Sequence, residues 1–412
     1  MNRRMYRNSA VGAVGVLALT LAMAGCASGA TSSSSVPRTT PAPAPVPAQY
    51  QSLYTTIHTQ LDGAQQTVDR LGSRSSPGMV YGAALLFADG NRGTQLLLPQ
   101  TLPEVNQEID TLSRIGVQGV SVQVSFPLLL PSTANSSRYL RFYEQVARDV
   151  AQHHMVLSVE ENPVLVGTPF ALSANVSFAG LTDVTYAQEQ AQMAQIIVED
   201  LHPTYLSLMT EPDTYATYIG LPDLNQPAAS AAVVTQEVQL IKRGKTLLGA
   251  GAGSWSTTQF DEDYATTGVN YIDLHIYPTE PQFVAQAVTD VAEAKAAHLP
   301  VVMDEFYFFP SVMFDAKGTI QKFEIDPFTF LDPLETQFLQ TFTEFAQKEG
   351  IRFVDAFDSN DFIAKVTWQP SDDTSNLRSV NELYDPVLKQ DLASGNVTAV
   401  GRAYGQMIRS HS

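Results

Sequence analysis

The chain has 412 residues, one cysteine and a formal net charge of −18. A protein this acidic repels phosphate backbones, so we expect no nucleic-acid partner. A single cysteine excludes an internal disulfide and a thiolate metal site. Apolar residues make up 44% of the chain, which is enough for one large core.

The N-terminus has the composition of a secretory signal. Three arginines precede an apolar run over 10–23, and small residues then lead to Cys26. The run is shorter than the roughly 20 residues that cross a bilayer. "LAMAGC" resembles a bacterial lipobox, which implies that Cys26 is acylated and anchors the protein to the extracytoplasmic side of a membrane in a bacterial cell envelope. Ordinary signal cleavage and a single membrane anchor are the alternatives.

Residues 27–49 consist almost entirely of Ser, Thr, Pro, Ala and Val. Such a composition cannot bury a core and predicts a disordered, partly extended tether. We therefore place the signal at residues 1–26, the tether at 27–49 and the folded domain at 50–412.

From Tyr50 onward, short apolar runs alternate with longer amphipathic ones. The predicted strands are Met79–Phe87, Val117–Val124, Met155–Glu160, Tyr205–Met209, Thr246–Gly251, Tyr271–Tyr277, Val301–Phe306 and Phe353–Phe357. The predicted helices are Tyr50–Leu71, Pro103–Ile115, Arg138–His153, Thr185–Leu201, Ala228–Lys242, Gln282–His298, Pro333–Gly350 and Asp385–Ile408. Continuous apolar strands that alternate with helices predict a parallel sheet. A weaker helical segment follows Gln259 and completes eight strand–helix units, which indicate a (β/α)8 barrel, with Tyr50–Leu71 as an N-terminal helical extension. An open doubly wound sheet is the alternative, but no Gly-rich phosphate turn follows the first strand.

Polar residues stand where several predicted strands end, the place where a barrel of this kind carries its active site. Glu160 ends the third strand and Glu211 follows the fourth. His275 and Tyr277 lie two apart in the sixth strand, and therefore on one face. Glu305 lies near the end of the seventh strand.

Acidic residues after a strand often only cap the next helix. We interpret four carboxylates mainly in this way: Glu160, Glu161, Asp213 and Asp358. Glu211 and Glu305 differ because each comes directly after an apolar run. Strands four and seven also lie across the barrel mouth from each other, so that two carboxyl groups could flank one bond.

Three features resemble clan A glycoside hydrolases: a Glu-Pro after strand four, "HIYP" in strand six and a glutamate that ends an apolar strand seven. The clan comprises retaining (β/α)8 enzymes such as cellulases, mannanases and galactanases. The resemblance implies a β-linked oligo- or polysaccharide substrate, with Glu211 as the general acid/base and Glu305 as the nucleophile. It also implies that Tyr277 hydrogen-bonds the nucleophile, and that His275 and Glu160 line the site.

The chain departs from the clan pattern at Thr210. The clan usually has Asn before its acid/base glutamate, where the amide contacts the sugar 2-hydroxyl. A hydroxyl cannot copy the geometry of an amide, so the change indicates either different chemistry at that carbon or weakened catalysis. Gln123 and Ser125 stand where some clan members have an arginine.

Retaining cleavage needs a nucleophilic carboxylate and a second carboxyl group that first donates and then accepts a proton. The two groups lie about 5–5.5 Å apart in retaining enzymes and about 6.5–9.5 Å apart in inverting ones. A nearby anion and an apolar setting keep the acid protonated. Glu305 would supply that anion, and Tyr277 would keep it ionised by donating a hydrogen bond.

Aromatic side chains usually line sugar sites. We expect Trp255, Trp368 and Tyr307 to contact substrate, with simple packing as the alternative for each. Two long inserts, 169–180 and 311–333, are expected to build the walls of the cleft.

Other classes of function fit less well. The sequence has neither an HxH nor an HExxH motif, and His153-His154 is best explained as a helix C-terminal pair. There is no GxSxG motif of a serine hydrolase. We predict a monomer without a cofactor or a metal. The rival is a non-catalytic carbohydrate-binding lipoprotein on the same scaffold, and the retention of both carboxylates favours an enzyme. A purely structural envelope lipoprotein would not gather polar groups at one barrel face.

Overall fold

Eight parallel strands form a closed barrel in which neighbours follow chain order, and β8 pairs with β1. The strands are Val80–Ala84 (β1), Gly119–Gln123 (β2), Val156–Glu160 (β3), Tyr205–Met209 (β4), Leu247–Gly253 (β5), Tyr271–Ile276 (β6), Val301–Phe306 (β7) and Phe353–Ala356 (β8). The predicted (β/α)8 barrel is therefore confirmed.

The computed structural model describes residues 44–72, 78–168, 171, 173–277, 279–309, 327–374 and 377–411. The predicted signal, Cys26 and most of the predicted tether lie outside these residues, as does most of the insert at 311–333. Residues 44–49, at the end of the predicted tether, are described, and Ala44 and Val46 pack against the hydrophobic core.

Eleven α-helices lie within the described part of the chain. They are Gln51–Asp69 (α1), Thr101–Ile115 (α2), Ser136–Gln152 (α3), Asp183–Ile196 (α4), Pro212–Ile219 (α5), Pro227–Leu240 (α6), Gln259–Tyr264 (α7), Pro281–Ala296 (α8), Asp332–Glu349 (α9), Leu377–Ser394 (α10) and Ala399–His411 (α11). None of these helices is long and apolar enough to cross a membrane.

The predicted helix over Asp385–Ile408 is wrong, because this stretch contains parts of α10 and α11. Gly395 follows α10 with a φ of 66°. Glycine adopts this left-handed conformation readily, which ends a helix.

The predicted N-terminal helical extension is present as α1. Its buried side chains recur every three or four residues and form one stripe: Ile57, Leu61, Ala64 and Val68. This stripe belongs to the main core cluster, and the helix packs beside α8 and α9.

The centre of the barrel is polar. It contains three serines and three aspartates: Ser121, Ser158, Ser207, Asp273, Asp304 and Asp355. Ser158 and Ser207 donate hydrogen bonds to the two oxygens of Asp304, each at 2.8 Å. Ser121 donates to Asp355, also at 2.8 Å. Burial, followed by the charge of Asp273, raises the pKa of Asp304 to about 8. Because branched aliphatic residues usually fill this region of a barrel, the polar layer sets this chain apart.

Strand β7 carries a β-bulge directly before Glu305. Asp273 pairs with Val302, yet His275, two residues further along β6, pairs with Glu305. The extra residue in β7 interrupts the alternation of faces. As a result, Asp304 accepts a hydrogen bond from Ser158 inside the barrel. The adjacent Glu305 accepts one from Gln123 at the mouth of the barrel.

Strand β4 contains a similar irregularity before Glu211. Ser207 pairs with Gly249, whereas Met209 pairs with the next residue of β5, Ala250. Bulges commonly occur beside active sites, where they redirect a side chain. Both strands that lead into the predicted catalytic carboxylates have one.

Candidate active site

Glu211 lies between β4 and α5, at the N-cap position of that helix. Its Oε2 accepts a hydrogen bond from the Thr214 hydroxyl at 2.7 Å. Its Oε1 lies 2.8 Å from the Tyr277 hydroxyl and 3.1 Å from Nδ1 of His275. The side chain is 16% exposed, so the carboxyl group is held on several sides and still reaches the surface.

Glu305 is almost fully buried and lies near the end of β7. The Gln123 amide donates a hydrogen bond to Oε1, and the Tyr277 hydroxyl donates to Oε2. Nδ1 of His275 lies 3.5 Å from Oε2. The structure therefore brings Glu211, Glu305, Tyr277 and His275 together, as the sequence predicts.

The Tyr277 hydroxyl contacts both carboxyl groups but has only one proton to donate. If it donates to Glu305, its oxygen can accept a hydrogen bond from a protonated Glu211. The hydrogen bonds are then satisfied when Glu211 is neutral and Glu305 is charged. This is the protonation state in which a retaining glycosidase begins its reaction.

His275 is enclosed by carboxylates. Its Nε2 lies 3.5 Å from Oδ2 of Asp273 and 3.9 Å from Oε2 of Glu160, while Nδ1 faces Glu211 and Glu305. Burial alone would lower the pKa of His275, but the surrounding acids raise it well above its usual value. A charged imidazolium at this position partly offsets the negative charge of the site.

The pKa values of two carboxyl groups of the site, Glu305 and Glu160, are raised. Burial, followed by the charge of Glu211, raises the pKa of Glu305 well above the usual carboxyl value. Burial and the charge of Glu305 raise the pKa of Glu160 in the same direction. Burial and mutual repulsion therefore disfavour a negative charge on Glu160 and Glu305 at the same time.

Glu160 and Glu161 do not cap a helix, so the cap interpretation is wrong for both. The next helix, α4, is capped by Thr182. Glu160 is fully buried and faces His275, as expected of a residue of the site, although it is too deep to touch a substrate directly. Asp213 lies in the first turn of α5, where an acid is favourable.

Two aromatic side chains adjoin Tyr277. Trp255 stacks on the Tyr277 ring with centroids 5.0 Å apart, and its indole nitrogen donates to Asp213 at 3.3 Å. Tyr307 meets the same ring edge-on at 5.9 Å. Trp255 and Tyr307 thus pack against the tyrosine whose hydroxyl contacts both Glu211 and Glu305.

Trp368 and Thr210 are placed differently. Trp368 packs edge-on against Tyr50 at 6.2 Å, and no hydrogen bond or ring contact of the described residues joins it to Glu211 or Glu305. Thr210 is 2% exposed and immediately precedes Glu211. It lies in the floor of the site and offers little surface to a ligand.

Three buried side chains at the site could also hold a metal ion: Glu160, His275 and Glu305. Their ligand atoms lie within 4.8 Å of one another. Such a group comes from three different strands and therefore has no spacing motif in the sequence. Here His275 already contacts Glu211, and Glu305 accepts hydrogen bonds from Gln123 and Tyr277.

Sequence reasoning missed the roles of Gln123, Thr214 and Asp273. Gln123 appeared only as a departure from a family pattern, although β2 and β3 bring it level with Glu160. Thr214 could have been found, because a hydroxyl three residues after Glu211 lies one helical turn away. Asp273 precedes His275 by two positions and therefore shares its face.

No protein-family model matches the chain, and no curated protein sequence is significantly similar to it. Solved structures share its fold. One is a β-glucosidase from Thermotoga maritima in complex with glucoimidazole, with 11% identity and a TM-score of 0.51 over 82% of this chain and 99% of that one. Another is GH5_18 from Bifidobacterium longum subsp. longum, with 12% identity and a TM-score of 0.53 over 81% of this chain and 79% of that one. The chain is thus similar in fold to glycosidases that are built on an eight-stranded barrel.

Proposed function

We propose that this chain is a retaining glycoside hydrolase that acts on a β-linked oligo- or polysaccharide. The observation that carries the proposal is the single Tyr277 hydroxyl that bridges Glu211 and Glu305. Two carboxyl groups that share one donor favour the short separation of retaining enzymes, about 5–5.5 Å, over that of inverting enzymes. The glycosidase fold agrees with this chemistry, although fold alone does not establish function.

In the proposed reaction, Glu305 attacks the anomeric carbon and forms a covalent glycosyl intermediate. Glu211 gives its proton to the leaving oxygen as the glycosidic bond breaks. It then takes a proton from the water that attacks the anomeric carbon and releases Glu305 as a carboxylate. Gln123 and Tyr277 hold the nucleophile, and the charged His275 lies between the acids. Trp255 and Tyr307 would line the sugar site.

The role of Glu211 can be tested with Glu211→Gln. General acid catalysis contributes about 10²–10⁴-fold, so kcat should fall by that range for β-glycosides with poor leaving groups. Aryl glycosides with very acidic leaving groups need no proton and should lose far less. A panel of aryl β-glycosides that differ in sugar and leaving group would measure both effects.

The same variant should move the acidic limb of the pH profile. Glu305 must be ionised to attack, so activity is lost as pH falls through its pKa. The charge of Glu211 raises that pKa, and its removal should shift the limb to lower pH. Glu262→Gln, an exposed acid on α7, serves as the control and should change neither measurement. An equal loss for all leaving groups would contradict the assignment of Glu211.

A second candidate function is carbohydrate binding without cleavage, which Thr210 favours because it replaces the amide expected before the acid/base. In that case the protein would bind β-glycans with its wild-type carboxylates in place and turn over none of the panel. Turnover of any aryl β-glycoside that depends on Glu305 would exclude this candidate.

We also propose that the chain is a lipoprotein of the bacterial cell envelope, anchored through Cys26. The proposal rests on the sequence alone, from the arginines and apolar run to "LAMAGC". In a bacterial host fed a labelled fatty acid, the wild type should take up the label and Cys26→Ala should not. Equal labelling of the two proteins would contradict the anchor.

A further inference from the structure

A second polar cluster lies behind the strand ends that carry the active site, on the helix side of the barrel wall. It is formed by Glu161 after β3, Tyr186 and Gln190 on α4, and Glu237 on α6. All four side chains have no exposed surface. We call this group the rear acidic cluster.

The backbone around the cluster is firmly held. The Glu161 amide donates to the Ser207 carbonyl at 2.9 Å, and the Tyr215 hydroxyl donates to the Glu161 carbonyl at 2.6 Å. The Gln190 amide nitrogen donates to the Leu208 carbonyl at 2.5 Å and reaches the Glu161 carbonyl at 3.4 Å. The Gln190 amide group therefore lies directly against Glu161.

The side-chain oxygens of the cluster lack partners among the described residues. Both carboxylate oxygens of Glu161 and of Glu237 make no hydrogen bond, and neither do the Tyr186 hydroxyl and the Gln190 amide oxygen. The charge of Glu237 contributes to the raised pKa of Glu161, and both acids act on Tyr186. Glu161, Glu237 and Tyr186 are thus close enough to interact electrostatically, and the Gln190 amide adjoins Glu161.

Such an arrangement is costly without a ligand. A buried carboxylate without a partner destabilises a protein by several kcal/mol, and buried polar groups are nearly always paired. The cluster has five acceptor oxygens on Glu161, Glu237 and Gln190, and the one phenol O–H of Tyr186 cannot satisfy them. A cation that binds oxygen would satisfy all of them at once.

We propose that the rear acidic cluster binds a calcium ion. Four carboxylate oxygens, the Gln190 oxygen and the Tyr186 oxygen make six hard donors, within the six to eight that Ca²⁺ takes. The two carboxylates also match its charge. Mg²⁺ fits less well because it usually keeps several waters, and this cluster is sealed from solvent. Oxygen donors without sulfur or imidazole do not select zinc or copper.

The ion would join β3, α4 and α6 directly behind the catalytic floor. Glu161 directly follows Glu160 in the chain. The Glu161 amide donates a hydrogen bond to the carbonyl of Ser207, which lies on β4, the strand that leads to Glu211. The site is thus a structural brace and makes no contact with the reacting atoms. It does not depend on the proposed glycosidase activity.

The test uses the purified full-length protein. The wild-type Tm is measured in EGTA and again after millimolar CaCl₂ is added. The Tm in calcium should be higher by about 2–5 °C, as expected when a ligand binds only the folded state. Glu237→Gln should lose this response, and the lower charge should make it no less stable than the wild type in EGTA. The control is Glu108→Gln, a buried carboxyl group that already accepts hydrogen bonds from the amides of Leu86 and Phe87. This control should keep the wild-type response.

A second measurement does not require a variant to fold. Tb³⁺ should bind in place of calcium and luminesce on excitation of Tyr186 and the neighbouring Tyr215, and added Ca²⁺ should quench this signal. A wild-type Tm that is equal in EGTA and calcium, together with no terbium signal, would overturn the proposal and show that the two acids hold protons instead. A Tm that responds to MgCl₂ but not to CaCl₂ would overturn the assignment of calcium.

Discussion

Replacing Glu305 with glutamine is expected to lower kcat by roughly 10⁵-fold, because losing the nucleophile removes the covalent step around which the other groups act. Glutamine keeps the size of the side chain and can still bond to Gln123 and Tyr277. The fold should therefore survive. The measurement is turnover of the best aryl β-glycoside found with the wild type.

Covalent trapping makes this test independent of the rate. A 2-deoxy-2-fluoro glycoside of the preferred sugar should label the wild type once, on the peptide that contains Glu305. Glu305→Gln should not be labelled. Glu211→Gln should still be labelled if the fluoro glycoside carries a good leaving group. A label on Glu160 or Glu211 would show that the nucleophile is assigned to the wrong carboxylate.

The largest expected loss of stability comes from Lys365→Met. The Lys365 side chain is 3% exposed and forms ion pairs with Glu335 at 2.5 Å and with Asp361. These contacts fix the segment after β8 against α9. Methionine keeps much of the stem but leaves two buried carboxylates without their cation. Breaking a buried pair in this way costs about 3–5 kcal/mol, which urea unfolding would measure.

Lys295→Met is the matched control. Lys295 pairs with Glu349, but its side chain is 37% exposed, and pairs of this kind contribute about 0–1 kcal/mol. If Lys365→Met also costs less than about 1 kcal/mol, water or another cation must reach the two acids. Adding Glu335→Gln to Lys365→Met should restore part of the stability by removing one of the two negative charges that Lys365 neutralises.

Much of the fold follows from sequence because both strand signals and helix signals are local. All eight predicted strands overlap the observed ones, and Tyr205–Met209 and Val301–Phe306 match at both ends. The break between α10 and α11 was missed because the amphipathic pattern continues across Gly395 and the glycine was not interpreted as a stop. The short helix α5 was also missed, since Pro212 was considered only as a support for Glu211.

The site was harder to predict, for a geometric reason. Strict alternation along β7 would put Asp304 and Glu305 on opposite faces, and only the bulge allows both to face the barrel mouth or interior. A bulge depends on pairing with neighbouring strands and leaves no mark in the sequence of one strand. The predicted proximity of Glu211 and Glu305 came from the order of strands around a barrel. The contacts of Gln123 and Asp273 could not be predicted in this way, because they depend on the pairing register of neighbouring strands.

The polar layer inside the barrel has a consequence for how this sequence can diverge. Ser207 bonds both Asp304 and the Tyr271 hydroxyl, so replacing any one member leaves another without its partner. Substitutions at residues that share one hydrogen-bond network have non-additive effects on stability, so a single change is harder to tolerate than a joint one. We expect the three serines and three aspartates to be retained as a set in distant relatives whose surface residues differ completely. The set should therefore identify such relatives better than overall sequence identity does.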